Sequence, residues 1–386
     1  MTVAGGPLGW SWRLPVATRF GRGSRADLAA AAEVSPWLVV GSAAGRERVL
    51  ADPVLGPLLA RRTVVWAEPV APTPDVEHLE ALSRPHLGRG YGVVVGIGGG
   101  SVMDAAKVIA ARLAAGPGVA LRDLLDDPHA IPAAARPRVI VLPTTAGSGS
   151  EVTPFATVWD RRHGVKRSLT GEAVWPSAAL VDPDLSDALP HEPTLESGLD
   201  ALNQALESVW NRHASPLTVA LATRAATLAW RALPNVLEAQ PAAAARAAMA
   251  EAALLAGMAI SQTRTALCHA LSYPLTLAFG VAHGVACAFT MAAVARHVVP
   301  VDDGRLARLA RDLLGSDARA ADLPDALDAY VDRLGVRGRV RAAIGSRDSL
   351  LARTRVAGAD ERGDNLLRPA GPDVRERILV ASWGPA

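Results

Sequence analysis

Residues 93–110 read VVVGIGGGSVMDAAKVIA, and this stretch decides the fold class. An apolar strand ends in Gly96, passes Gly98, Gly99 and Gly100, and enters a helical pattern at Ser101. Consecutive glycines permit positive φ and let backbone N–H groups approach an anion closely. Ser101 is the expected N-cap, and the helix N-terminus favours negative charge. Asp104 is expected in the first helical turn, with Lys107 on the same side one turn later. The turn therefore reads as a phosphate cradle, with Gly98, Gly99, Gly100, Ser101 and Asp104 as candidate cofactor contacts. A plain strand–helix turn is the simpler alternative.

The same pattern repeats on either side. Short β-branched runs at 37–40, 63–67, 93–97, 139–142, 155–159 and 179–181 alternate with helical stretches. That alternation predicts a parallel sheet covered by helices. A second polar loop, PTTAGSGSEVT at 143–153, follows one of these strands. Thr144, Thr145, Ser148 and Ser150 stand where hydroxyls meet a diphosphate or a ribose at the carboxyl end of a parallel strand. Strand 37–40 runs into Gly41, Ser42, Ala43 and Ala44, without the acidic residue that would bind a ribose 2′-hydroxyl and repel a 2′-phosphate. Ser42 joins the candidate contacts. Arg46 is close enough to meet a 2′-phosphate, so NADP(H), or both NADP(H) and NAD(H), is the expected cofactor.

Beyond Pro190 the strands stop. Helices are expected at 195–211, 216–233, 241–263, 285–298, 303–314 and 325–334, with Pro216 and Pro241 in first turns that accept proline. Residues 357–372 are polar and glycine-rich, and read as loop. The expected architecture is an α/β Rossmann-like domain over 1–188 and an all-helical domain over 189–386, with a cleft between them. The 386 residues, half of them hydrophobic and a fifth charged, suffice for two cores. A net charge of +2 with scattered arginines argues against a nucleic-acid surface. No apolar run reaches the roughly 18 residues of a membrane span, and the N-terminus lacks a signal-peptide pattern. With two cysteines, Cys268 and Cys287, and no C-x-x-C spacing, a reduced cytoplasmic setting is expected. Both cysteines read as small buried hydrophobes.

Residues 265–290, TALCHALSYPLTLAFGVAHGVACAFT, set His269 and His283 in an apolar background. Pro274 and Gly280 between them suggest a helix, a turn and a second helix start. About seventy residues upstream, SGLDALNQALES at 197–208 puts Asp200 and Gln204 on one helix face. Buried polar groups need partners. A divalent cation, Fe(II) or Zn(II), would satisfy Asp200, His269 and His283, with Gln204 as a weak fourth ligand. Satisfied core histidines are the plain alternative.

GGGSVMDAAK, LPTTAGSGSEVT, DPDL at 182–185, DALNQALES and HALSYPL…GVAHG occur in one order and spacing across nearly the whole chain. Together they resemble the iron-containing, or group III, alcohol dehydrogenases, whose architecture is shared with the dehydroquinate synthases. The resemblance implies hydride transfer from a nicotinamide cofactor, a helical metal-binding domain and a dimer or larger assembly, with a homodimer expected. Two departures stand out. Gln204 occupies a position where the family writes a metal-binding histidine, and Tyr273 occupies that of an auxiliary histidine. The resemblance extends to the metal-free maleylacetate reductases, which keeps metal-independent catalysis open.

SYPLT after His269, with ALESVWNRHASP at 205–216, resembles the phosphonoacetaldehyde reductases, or 2-hydroxyethylphosphonate dehydrogenases, of phosphonate natural-product pathways. This implies a phosphonate aldehyde as substrate. A phosphonate needs a cation. Arg264, in the polar run SQTRT just before His269, is the first candidate and is expected to be buried in an apolar helix; Lys166, Arg167 and Arg212 are weaker ones. Tyr273 is the candidate proton donor. A reductase of neutral short-chain aldehydes or diols and a degenerate cofactor-binding protein are the competing readings.

Overall fold

The computed structural model describes residues 9–31, 35–240, 242–356 and 361–384. Six parallel strands form one sheet: β1 (Ala17–Phe20), β2 (Trp37–Val40), β3 (Val64–Trp66), β4 (Val93–Gly98), β5 (Arg138–Pro143) and β8 (Ala178–Val181), in the order β1-β8-β5-β4-β2-β3. The central strands are valine-rich and wholly buried because both faces are covered. Alternate residues go to opposite sides: Trp37, Val93, Val95 and Ile140 enter one core, while Leu38, Val94, Val139 and Val141 enter the other. The chain moves out from β2 to β3, then returns to β4 on the far side. The carboxyl ends of β2 and β4 thus flank the point where strand order reverses, the usual crevice for a ligand in such sheets.

The run at 155–159 is not part of this sheet. It forms β6 (Phe155–Asp160), which pairs antiparallel with β7 (Val165–Thr170). Gly164, at φ 65, helps close the tight connection between them. β7, VKRSLT, is too polar to read as a core strand, and β1 is a mostly exposed edge strand; neither is visible from hydrophobic pattern.

Helix α1 (Gly100–Ala115) follows β4. The helical half contains α2 (His191–Val209), α3 (Pro216–Val236), α4 (Ala243–Thr263), α5 (Leu267–Phe279) and α6 (His283–Val298) around one large apolar core. Pro241 lies outside the described residues, as do 357–360 of the expected loop; the rest of that loop holds a short 3-10 turn, Glu361–Asn365. Helices Val336–Ile344, Arg347–Val356 and Pro372–Trp383 also occur, in arginine-rich sequence with little apolar pattern.

The expectation that no segment is apolar enough to span a membrane needs correcting. Ala243–Thr263 and His283–Val301 are long and apolar enough, but 61% and 72% of their apolar windows are buried inside the protein. Their hydrophobicity is that of largely buried core helices.

Two close approaches set the site, the first between the halves and the second within the helical half. Gly149, at φ 63, lies against Gly257 of α4, and a Cβ on Gly149 would fall 2.3 Å from the Gly257 Cα. A Cβ on Gly284 would sit 1.9 Å from the Glu196 carbonyl oxygen, so glycine lets the start of α6 press onto α2.

Candidate active site

The glycine turn works by close packing rather than by unusual dihedrals. Gly96, Gly98, Gly99 and Gly100 are absent from the positive-φ glycines, and Gly99 is extended at φ −76, ψ −174. Instead, a Cβ on Gly98 would strike Val102 at 2.6 Å, and one on Gly100 would strike the Ser148 Oγ at 2.7 Å. The helix starts at Gly100 with Gly99 as N-cap, earlier than expected. Ser101 is therefore inside the first turn, and Asp104 lies beyond it. Asp104 braces the loop at Ser150 and strand β6, accepting from the Ser150 Oγ at 2.5 Å and the Thr157 backbone N–H at 2.8 Å. Lys107 is fully buried and donates to the carbonyls of Thr153 (3.1 Å) and Phe155 (3.0 Å). Burial lowers its pKa to about 8 and raises that of neighbouring Glu151 to about 7.

A cleft of about 310 Å³ opens beside this turn. Gly100, Ser101, Asp104, Thr145, Ser148 and Ser150 line it from the α/β side, and Asp200, Gln204, His269 and His283 from the helical side. Thr144 is not in the wall; its N–H extends the β4–β5 ladder to the Gly98 carbonyl at 3.0 Å. Ser42 is also outside it, capping the helix Ala43–Ala51 by accepting from the Gly45 N–H at 3.1 Å. Arg46 stacks its guanidinium over Trp66, 5.0 Å from the ring centroid.

The β6–β7 hairpin forms a further wall. Cross-strand pairs Phe155–Thr170, Thr157–Ser168 and Trp159–Lys166 all face the cleft, as alternate positions on one sheet face must. Lys166 and Arg362 join Arg264 as cleft cations. Arg264 is not buried in an apolar helix. It is exposed at the C-terminal cap of α4, at φ 60, because the helix ends there. Tyr273 stands behind the wall. Its hydroxyl accepts from Arg362, and Lys166 Nζ sits 4.3 Å from its ring centroid. Arg167 pairs with Asp126, and Arg212 donates to His213; neither reaches the cleft.

At the cleft base, one ligand atom each from Asp200, His269, His283 and Cys287 lies within 4.8 Å of the others. His269 Nε2 is 3.2 Å from Asp200 Oδ1, while its Nδ1 is 2.7 Å from Glu207 Oε2. Glu207 is wholly buried in α2 and caps the start of α5, accepting from the Ala266 (2.7 Å) and Cys268 (2.5 Å) N–H groups. It fixes the ring so that Nε2 faces Asp200, as an outer carboxylate does for a metal-binding histidine. Pro274 does not break α5; the turn to α6 is made at Gly280, at φ 68.

The electrostatics are those of a crowded, buried polar cluster. Burial opposes charge on Asp200, but the hydrogen bond to His269 and both imidazoles hold it below the usual carboxylate range. Burial likewise opposes an imidazolium at His269, and the pull of Cys287, Glu207 and Asp200 overcomes it. Burial, then Lys166, drives His283 down to about 3, so its ring is neutral and able to ligate. Among the described residues, the buried Gln204 Oε1 has no hydrogen-bond partner. Its Nε2 donates to the Ser148 carbonyl, which leaves the oxygen as an orphan acceptor at the cleft base. A carboxylate, two imidazoles and an unpaired carbonyl oxygen are a donor set that a divalent cation fits.

The family model for iron-containing alcohol dehydrogenase matches residues 15–183, and that for the Fe-containing alcohol dehydrogenase family, C-terminal, matches residues 194–361. The chain belongs to the iron-containing alcohol dehydrogenase family. This family member is an oxidoreductase of the alcohol dehydrogenase and aldehyde reductase class. It is 43% identical over 271 residues to a phosphonoacetaldehyde reductase of Streptomyces viridochromogenes, spanning 64% of this chain and 67% of that enzyme. It is 36% identical over 244 residues to a 1-propanol dehydrogenase of Salmonella typhimurium, spanning 63% and 61% of the two chains. The fold matches that of a sulfoacetaldehyde reductase from Bifidobacterium kashiwanohense solved with NAD+, at a TM-score of 0.86, 26% identity, and coverage of 98% and 100%.

Sequence reasoning missed Glu207 and Arg362, and read Cys287 only as packing. Glu207 lies on the helix that carries Asp200, seven residues on, so helical periodicity could have found it. Arg362 is far away in sequence and carries no local signal.

Proposed function

We propose that this enzyme reduces phosphonoacetaldehyde to 2-hydroxyethylphosphonate in a phosphonate pathway, using NAD(H) or NADP(H) and a divalent cation. The observation that carries the substrate class is the set of three cations, Lys166, Arg264 and Arg362, lining the cleft that ends at Asp200, His269 and His283. A neutral aldehyde has no use for three positive groups. A doubly charged phosphonate does. The relatives acting on phosphonoacetaldehyde and sulfoacetaldehyde, both small anionic aldehydes, support the same reading.

When bound, a reduced nicotinamide supplies hydride to the aldehyde carbon and the cation polarises its oxygen. The chain's own residues do the rest. The glycine turn, with Ser101, Thr145 and Ser148, receives the dinucleotide where no Cβ obstructs it. Asp200, His269 and His283, with Gln204, hold the cation. Lys166 and Arg264 take the phosphonate, which orients the carbonyl toward the cleft base. Tyr273 acts as a positioning residue: its ring packs against both Lys166 and Arg362, and its hydroxyl accepts from Arg362. The proton for the new hydroxyl then comes from solvent reaching the cleft.

Steady-state kinetics on phosphonoacetaldehyde and propanal test this. The expected kcat/KM is at least about a hundredfold higher on the phosphonate, equivalent to one or two charge-assisted pairs. Lys166→Met should remove about a hundredfold on the phosphonate alone. Arg264→Ala should cost about tenfold, because an exposed cation is screened. Equal efficiency on both aldehydes would favour a neutral-aldehyde reductase, such as the 1-propanol dehydrogenase relative.

A further inference from the structure

Gln204 leaves the cation site short of a strong ligand. A neutral carboxamide oxygen binds divalent iron or zinc weakly, and with Asp200 and two imidazoles it would leave a buried cation carrying a net positive charge. The chain offers a second donor close by. Cys287 lies one helical turn after His283 on α6, so the two side chains share a face. Its Sγ is 3.8 Å from His283 Nε2, within the same 4.8 Å cluster as Asp200 and His269. A tetrahedral cation with bonds of about 2.0–2.3 Å holds its ligand atoms about 3.3–3.6 Å apart. The observed separations of 3.2 Å (His269–Asp200) and 3.8 Å (Cys287–His283) need only small adjustments to reach that geometry.

Position adds to distance. Cys287 is fully buried and is not part of the cleft wall, whereas Gln204 is. A sulfur ligand from beneath would leave the cleft side of the cation to substrate and to the Gln204 oxygen, which has no partner among the described residues. Cys268, the other buried thiol, lies outside the cluster.

We propose that Cys287 is a protein ligand of the cation, giving an Asp200–His269–His283–Cys287 set that favours zinc over iron. Coordination replaces the thiol proton, which leaves to solvent, with the metal–sulfur bond. One carboxylate and one thiolate then balance a divalent charge, and soft sulfur selects zinc. The inference rests on the reading that a divalent cation occupies this site.

The test uses the whole protein, stripped with chelator and reloaded with zinc or cobalt(II). Zinc content by elemental analysis should reach one ion per chain. X-ray absorption at the zinc edge should show one sulfur neighbour at about 2.3 Å. The cobalt form should show thiolate-to-metal charge-transfer absorption. Cys287→Ser and Cys287→Ala should abolish both signatures and weaken zinc binding at least about a hundredfold, more than loss of an outer-shell partner does. Cys268→Ser should keep both. One zinc per chain with no sulfur neighbour and no charge-transfer band would overturn the ligand assignment while leaving the cation site standing. Failure to retain any ion would overturn the cation reading itself.

Discussion

Removing Glu207 should damage folding and metal binding together, by separable amounts. The carboxylate is fully buried and has four donors around it: the Ala266, Cys268 and His269 N–H groups at 2.7, 2.5 and 3.4 Å, and His269 Nδ1 at 2.7 Å. In Glu207→Ala, the two short backbone bonds and the imidazole bond lose their acceptor. Each orphaned buried donor costs about 1–3 kcal/mol, which suggests roughly 4–6 kcal/mol in total. That is a large share of the ~5–15 kcal/mol available to a typical domain, so Glu207→Ala should be poorly folded. Glu207→Gln keeps one acceptor oxygen and turns its amide toward the remaining donors. It should fold, with a loss of about 2–3 kcal/mol. Zinc affinity should fall about 10–100-fold, because the His269 ring loses the partner that aims Nε2 at Asp200. Urea unfolding of chelator-treated protein measures the first effect, and competition against a chromogenic chelator measures the second. A Glu207→Gln protein with unchanged zinc affinity would refute the orienting role. A Glu207→Ala protein within about 1 kcal/mol of the parent would refute the capping role.

Three further outcomes follow from the cleft and its supports. Gly99→Val should raise the dissociation constant for the nicotinamide cofactor at least about tenfold, since even a Cβ there meets Thr145 at 3.2 Å; equilibrium fluorescence titration of the folded variant checks this. Arg46→Ala should weaken NADPH use and spare NADH use in steady-state kinetics, and a strong NADH preference in the parent enzyme would remove the basis for that expectation. Glu151→Gln should stabilise the protein in a pH-dependent way. The folded pKa is raised to about 7 from 4.5, so between those values the folded state binds the extra proton and the parent loses stability as pH rises. The variant's advantage should grow from near zero below pH 4.5 to at most about 3 kcal/mol above pH 7. Thermal unfolding across that range would show it, and a constant difference would mean that Glu151 titrates normally.

The parallel sheet was readable because its strands obey a simple rule. Runs such as WLVV at Trp37–Val40 are apolar on both faces, and glycine or serine follows where the crevice opens. The hairpin wall was only half readable: β6 showed as a strand at 155–159 but was placed in the parallel sheet, and β7 did not show at all. β6 and β7 have one face in the cleft, so they carry Thr157, Lys166, Ser168 and Thr170 where a core strand would carry valine. β7, VKRSLT, with polar residues on its cleft face, loses the apolar signal that reveals strands. Arg264 shows the same difficulty from the other side. Its apolar neighbours suggested a buried helical arginine, but α4 stops at Thr263 and turns the residue out to the cleft mouth.

The candidate ligand cluster was legible in its residue types and only partly in its membership. Asp200 and Gln204 follow helical spacing, and His283 and Cys287 do so as well. A histidine and a cysteine four apart are a recognisable pair only if the helix is known to begin at the histidine. The sequence instead suggested a start at residue 285, which left His283 in a turn. With α6 beginning at His283 and pressed against α2 through Gly284, both side chains reach the Asp200 face. The two departures from the family pattern then have local counterparts. Gln204 removes an imidazole within reach of a buried thiol, and Tyr273 replaces a second imidazole with a ring that stacks 6.0 Å from His283 and lies against two cations. On the proposed reading, one change alters what holds the cation. The other sets a neutral ring against Lys166 and Arg362, whose charges add to burial in keeping His283 neutral. On that reading, the cations that would hold an anionic aldehyde, Lys166 and Arg362, are the same ones that favour a neutral His283 at the cleft base.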